Sequence, residues 1–140
     1  MKKNLMRLAV CLLVAACICA GFTGCFSDSN LFGRLKIQQW NDVVLFSTLD
    51  GATETATVSE GDADRLKEML NNRNLYFEEY SCGFSDDFGI SVNGRNLWLA
   101  EDGCPHFYDS ASGKYLSISD EQRVEILSMF SKYGLYAPKY

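Results

Sequence analysis

Two cysteines, four carboxylates and the only histidine of the chain fall within or beside one short stretch, SCGFSDDFGISVNGRNLWLAEDGCPHF, residues 81–107. Such a crowd could hold a metal, shuttle electrons or do hydrolytic work. Zinc would draw on Cys82, Cys104 and His106, but zinc sites pair their ligands two to four residues apart, twice, and here only Cys104 and His106 are close. Dithiol redox chemistry uses Cys-x-x-Cys at a helix start, where one thiol pKa is lowered. These cysteines are far apart in sequence, with no helix start near either. Asp86, Asp87, Glu101 and Asp102 supply oxygens of the kind a hard cation takes, without the regular Asp-x-Asp-x-Asp spacing of a calcium loop. A nucleophilic triad would have to use His106, and no Gly-x-Ser-x-Gly elbow accompanies it. No glycine loop suited to cradling phosphate occurs, and nothing in the chain calls for a cofactor.

The elements around these residues favour a simpler reading. Asn93-Gly94 is a strong two-residue hairpin signal. Around it Ile90 faces Leu97, Phe88 faces Leu99, and Trp98 lies opposite Gly89. Carried outward, the register sets Asp86 against Glu101, Cys82 against Pro105 and Cys104 against Gly83. Like charges directly opposite repel, so the acidic ends either splay into solvent or take up a cation. Both cysteines arrive at the open end of one hairpin, within reach of a disulfide's ~5.5 Å Cα separation. A bridge closing a loop of this length stabilises by ~3 kcal/mol in the chain-entropy account. A Cys82–Cys104 staple is therefore expected, and no metal.

A staple needs an oxidising compartment, and the chain start bears on that. MKKNLMRLAVCLLVAACICAGFTGCFSDSN has a basic opening (Lys2, Lys3, Arg7) and an uncharged apolar run from Leu8 to Phe22, the layout of a secretory signal. Phe22-Thr23-Gly24-Cys25 resembles the lipobox of bacterial prolipoproteins. That resemblance implies diacylation of Cys25, removal of residues 1–24, and an extracytoplasmic domain on a lipid anchor at the cell membrane. The alternative is an uncleaved N-terminal anchor, since Leu8 to Phe26 nearly reaches the ~20 residues of a membrane span. Cleavage would remove Cys11, Cys17 and Cys19, leaving Cys82 and Cys104 as the even pair of an exported protein. It would also remove three of the 13 basic residues and none of the 18 acidic ones, for a net charge of about −8. So acidic a domain repels nucleic acid.

Residues 25–34 read as a lipidated start and tether, and 35–140 as a single small domain. Asp50-Gly51 marks another hairpin, pairing Leu49 with Ala52, Leu45 with Ala56 and Val43 with Val58 on one face, with threonines on the other. A helix follows, capped by Ser59 or Asp62, with Ala63, Leu66, Met69 and Leu70 as its apolar stripe. Residues 75–80, LYFEEY, could form a strand. HFYDSASGKYLSI reads as one more hairpin. The last helix starts at a Ser119/Gln122 capping box, turns Val124, Leu127 and Phe130 to one side with Ile126, Met129 and Tyr133 beside them, and stops at Gly134. The expected fold is two-layer α+β: a mainly antiparallel sheet covered by two amphipathic helices, its central hairpin stapled by the disulfide. Residues 80–134 resemble small domains of exported bacterial proteins, a resemblance that implies no activity.

If the helices cover one face only, Trp98, Tyr80 and Tyr108 share the open one, and such rings are common anchors in binding surfaces. The functional expectation is a membrane-tethered binding or envelope-accessory module for a protein, peptide or glycan, more likely non-enzymatic than not. The rival is a small extracytoplasmic enzyme built on the acidic loops and His106.

Overall fold

The structure is a computed structural model and describes residues 31–77 and 80–138. The proposed signal segment, Cys25 and most of the tether lie outside those residues. Eight strands form one sheet in the order β1-β4-β8-β7-β6-β5-β2-β3, antiparallel at each pairing. They are β1 (Leu31–Arg34), β2 (Val43–Leu49), β3 (Ala52–Thr57), β4 (Asn74–Tyr76), β5 (Phe88–Val92), β6 (Arg95–Leu99), β7 (His106–Asp109) and β8 (Lys114–Ser117). Two helices, α1 (Glu60–Leu70) and α2 (Asp120–Lys132), pack on one side. The α+β class, the single antiparallel sheet and the two helices match the sequence expectation.

Turn chemistry sets the hairpins. Asp50, Gly51, Asn93 and Gly94 all take positive φ, the backbone of a two-residue turn that asparagine, aspartate and glycine tolerate. The expected pairs Leu49–Ala52, Leu45–Ala56, Ile90–Leu97 and Gly89–Trp98 are all present. Leu49 nevertheless stays 52% exposed, because the hairpin tip projects past the helices.

Both helices begin at a serine. The Ser59 side chain accepts from the Asp62 amide, and Ser119 with Gln122 completes the reciprocal capping box. Helix α1 buries Ala63, Leu66, Met69 and Leu70 as its spacing requires. Helix α2 buries Ile126, Met129 and Phe130 of the expected face, but its centre is turned toward Arg123, which is also buried, and away from Val124, which is 65% exposed. Arg123 explains the turn, since its guanidinium reaches across to the Ala100 carbonyl and its stem packs inward. Between the helices Arg65 grips both carboxylate oxygens of Glu125, and Lys132 and the Tyr133 hydroxyl donate to Asp62. The bond from Lys132, then that from Tyr133, holds the Asp62 carboxyl below its ordinary pKa.

The sequence reading departs from the fold at the N-terminal boundary. Leu31–Arg34, assigned to the tether, is an edge strand, so the domain starts before residue 35. From β1 the chain crosses to β2 at the far side of the sheet through residues 35–42. Leu35, Ile37 and Trp40 are buried on the way. The crossing is tied to the end of α1 by Leu35 and Asn71, and to the β5–β6 turn by Asn93, which bonds Gln39 and Asp42. The strand within 75–80 is only Asn74–Tyr76, and Tyr80 falls in the following loop.

Candidate functional site

The two faces of the sheet carry different side chains. Toward the helices point Leu45, Ile90, Leu97, Leu99, Phe107 and Leu116, each fully buried. On the other face Phe46, Gly89, Trp98, Tyr108, Tyr115 and Tyr76 occupy consecutive register positions across β2, β5, β6, β7, β8 and β4. One residue from each of six neighbouring strands thus makes a row across the sheet, and five of the six are aromatic.

Gly89 is the gap that lets the row close. A Cβ there would come within 2.3 Å of the Leu97 carbonyl and 3.0 Å of the Phe46 ring. The flanking rings therefore fold over a bare backbone. Trp98 stacks on Tyr108 at 5.1 Å, and Tyr108 meets Tyr115 at 5.1 Å. The indole Nε1 of Trp98 is buried and meets no acceptor among the described residues.

The loop between β4 and β5 lies over part of this row. Tyr80 stacks on His106 at 4.0 Å and meets Tyr115 edge-on, and Phe84 packs on Tyr108 and Tyr115. Trp98, Tyr80 and Tyr108 do share a face, with Tyr80 as a cover rather than part of the floor. Tyr115, Tyr76 and Phe46 were not singled out from sequence. The alternation around Tyr115 and the register partners of Gly89 were the signals that could have found them.

In comparisons with known proteins, no family model, curated protein or solved structure matches this chain.

Cys82 and Cys104 do meet beside the row. Both are thiols, 2.7 Å apart, against ~2.05 Å for a bond. Asp102 completes the group: its carboxylate accepts from the amides of Gly83 and Cys104. Burial alone would raise the Asp102 pKa, but these bonds together hold it below the ordinary value. The Cys104 thiol is pushed up to about 12, first by its hydrogen bond with Cys82, then by burial and by Asp102. A thiol held so far above neutrality is a poor nucleophile and a poor thiolate ligand at pH 7.

The ligand atoms of Cys82, Asp102 and Cys104 lie within 4.8 Å of one another. The third group at the cysteines is thus Asp102, whereas His106 packs against Tyr80. Of the other three carboxylates, Glu101 accepts from the Ser85 hydroxyl, and Asp86 and Asp87 are exposed in the turn before β5. Among the described residues these three join no cluster of metal-ligating atoms. The predicted opposition of Asp86 and Glu101 does not form: the Glu101 amide donates to the Gly83 carbonyl, a register shifted from the extended hairpin, and its carboxylate takes the Ser85 hydroxyl.

Two clefts among the described residues lie away from the cysteines and the acidic loop. One of about 680 Å³ is lined by Leu127, Leu135, Tyr136 and Pro138, and one of about 460 Å³ by Arg34, Arg73, Tyr76 and Ser119. Neither is lined by His106 or by the acidic loop residues. No helix among the described residues is long and apolar enough to cross a membrane.

Proposed function

We propose that this chain is an exported lipoprotein, held at a membrane through Cys25, whose folded part binds a protein, peptide or glycan on its helix-free face. The observation that carries the binding reading is the aromatic row from Phe46 to Tyr76. A core needs no such row, because the helix-covered face already supplies one. Stacked rings with polar tips offer broad apolar contact at low entropic cost and suit a ligand with flat apolar surfaces.

In the exported protein Cys82 and Cys104 form a disulfide that fastens the Tyr80–Phe84 loop to the β6–β7 turn. Their proximity, and the oxidising compartment that the signal segment implies, support the bridge.

Photo-crosslinking in the native envelope tests the binding reading. A crosslinker replacing Tyr108 should give a discrete adduct that one replacing Val124, on the helix side, does not. Equal labelling from both positions would overturn it. Intact mass tests the rest: acyl mass on Cys25 with residues 1–24 removed is expected, and a retained Met1 would sink the lipoprotein. Two free thiols in the native exported protein would refute the bridge.

A further inference from the structure

We infer that the corner of the domain formed by Phe32, Phe77 and Lys114 rests on the lipid surface to which the chain is anchored. This rests on the N-terminal anchoring proposed above. Phe32 on β1 and Phe77, just past β4, are each 53% exposed. Their rings meet edge to face at 5.2 Å. The other large exposed apolar side chains among the described residues, Leu49, Val124 and Tyr136, are scattered, so this pair is a patch and they are not.

The Lys114 ammonium sits over the pair, 3.9 Å from the Phe77 ring centre and 5.3 Å from that of Phe32. Two apolar rings beneath a cation match the chemistry of a membrane interface, where rings enter the acyl boundary and an ammonium snorkels to the phosphates. Arg34 and Lys36, both exposed, follow Phe32 along the chain. Phe77 leads into Glu78 and Glu79 in the sequence, so the rings and not a net positive charge carry the contact.

Chain length decides the occupant. Leu31, the first residue of β1, is six residues after Cys25. Six residues span at most ~22 Å even when fully extended. An anchored chain therefore holds Phe32 within about 25 Å of the headgroups, at an effective concentration where even a weak interfacial affinity is satisfied. The β2–β3 tip with Leu49 lies six strand spacings away, roughly 29 Å across the sheet.

The test places the full chain in phosphatidylethanolamine–phosphatidylglycerol vesicles bearing a shallow nitroxide lipid. Phe32→Trp and Phe77→Trp are compared with Leu49→Trp and with the parent, whose Trp40 and Trp98 set the background. The emission added at 32 or 77 should be quenched at least twofold, and that added at 49 should match the lipid without nitroxide. Equal quenching at 32 and 49, or none at 32 and 77, would overturn the inference. Intact mass at Cys25 in the same samples reads the anchor separately. Acyl mass with no quenching removes the lipid-facing corner and leaves the lipoprotein. Quenching without acyl mass keeps the corner and removes the lipoprotein in favour of a retained apolar segment.

Discussion

The helix-covered and helix-free faces of this sheet are built from the same strands yet solve opposite problems. On the covered face, aliphatic side chains from six strands meet Leu66, Met69, Leu70, Ile126 and Phe130, all essentially inaccessible to water. Such packing tolerates neither voids nor extra atoms. On the helix-free face Trp98, Tyr108, Tyr115 and Tyr76 are half-buried beside a buried Phe46, and the Tyr80–Phe84 loop supplies a second layer. The contrast is one of packing: the covered face holds the hydrophobic core, and the other has a loop rather than helices as its cover.

Breaking the covered face should cost most. Phe130→Ala removes a fully buried ring that packs on Phe88, and a loss of about 4 kcal/mol is expected, read as a fall in the urea midpoint at constant slope.

Next comes a charge inside that face. Asp109 is wholly buried and receives Arg95 through two nitrogens, with Ser112 and the Ala111 amide as further donors. Arg95→Met leaves the carboxylate uncompensated and should cost about 3 kcal/mol by the same measurement. Burial alone would raise the Asp109 pKa, but Arg95 and Ser112 outweigh it and hold it below the ordinary value. Its stabilising contribution is therefore present above the unfolded aspartate pKa of ~3.9 and is lost as pH falls through the lower folded value. Asp109→Asn should flatten the acid limb of the stability profile below about pH 4, leaving the neutral-to-basic limb unchanged in shape.

Gly89→Ala tests the other face where it is least tolerant. The added methyl meets the Leu97 carbonyl and the Phe46 ring, so a loss of about 2 kcal/mol is expected, with a changed near-ultraviolet signal from Trp98. The smallest effect sharpens the comparison most. Phe84→Ala should cost only about 1 kcal/mol, since it removes ring contacts from a half-exposed cover. It should also raise iodide quenching of tryptophan emission, because the loop no longer shields the row. A cost near that of Phe130→Ala would mean that the helix-free face is a second core and not a surface.

Local signals were read well from sequence and long-range ones were not. Asn93-Gly94, Asp50-Gly51, Ser59 and the Ser119/Gln122 box act on neighbouring residues, and each did what its chemistry requires. Strand β1 escaped notice because LFGR is four residues long, carries a glycine at a bulge, and is a strand only through Asn74, Leu75 and Tyr76, far on in the sequence. The face of α2 was misjudged because a long cationic side chain counts as polar until a carbonyl such as that of Ala100 is there to receive it. The same holds for the site. Register arithmetic brought Cys82 near Cys104 and Trp98 onto Tyr108's face. It could not show Tyr80 as a lid or Asp102 beside the thiols, because those depend on how a loop lies and not on how strands pair.

The edge position of β1 bears on the order of assembly. Its only partner, β4, is short and is itself held on its far side by β8, near the end of the chain. Among the described strands, the first in sequence has its seat completed only when β8 has paired with β4. Pairings this distant in sequence close slowly, so the central hairpins are free to form early while the segment nearest Cys25 is the last to dock. Withholding residues 114–117 would therefore leave β4, and with it the seat of β1, open on its far side.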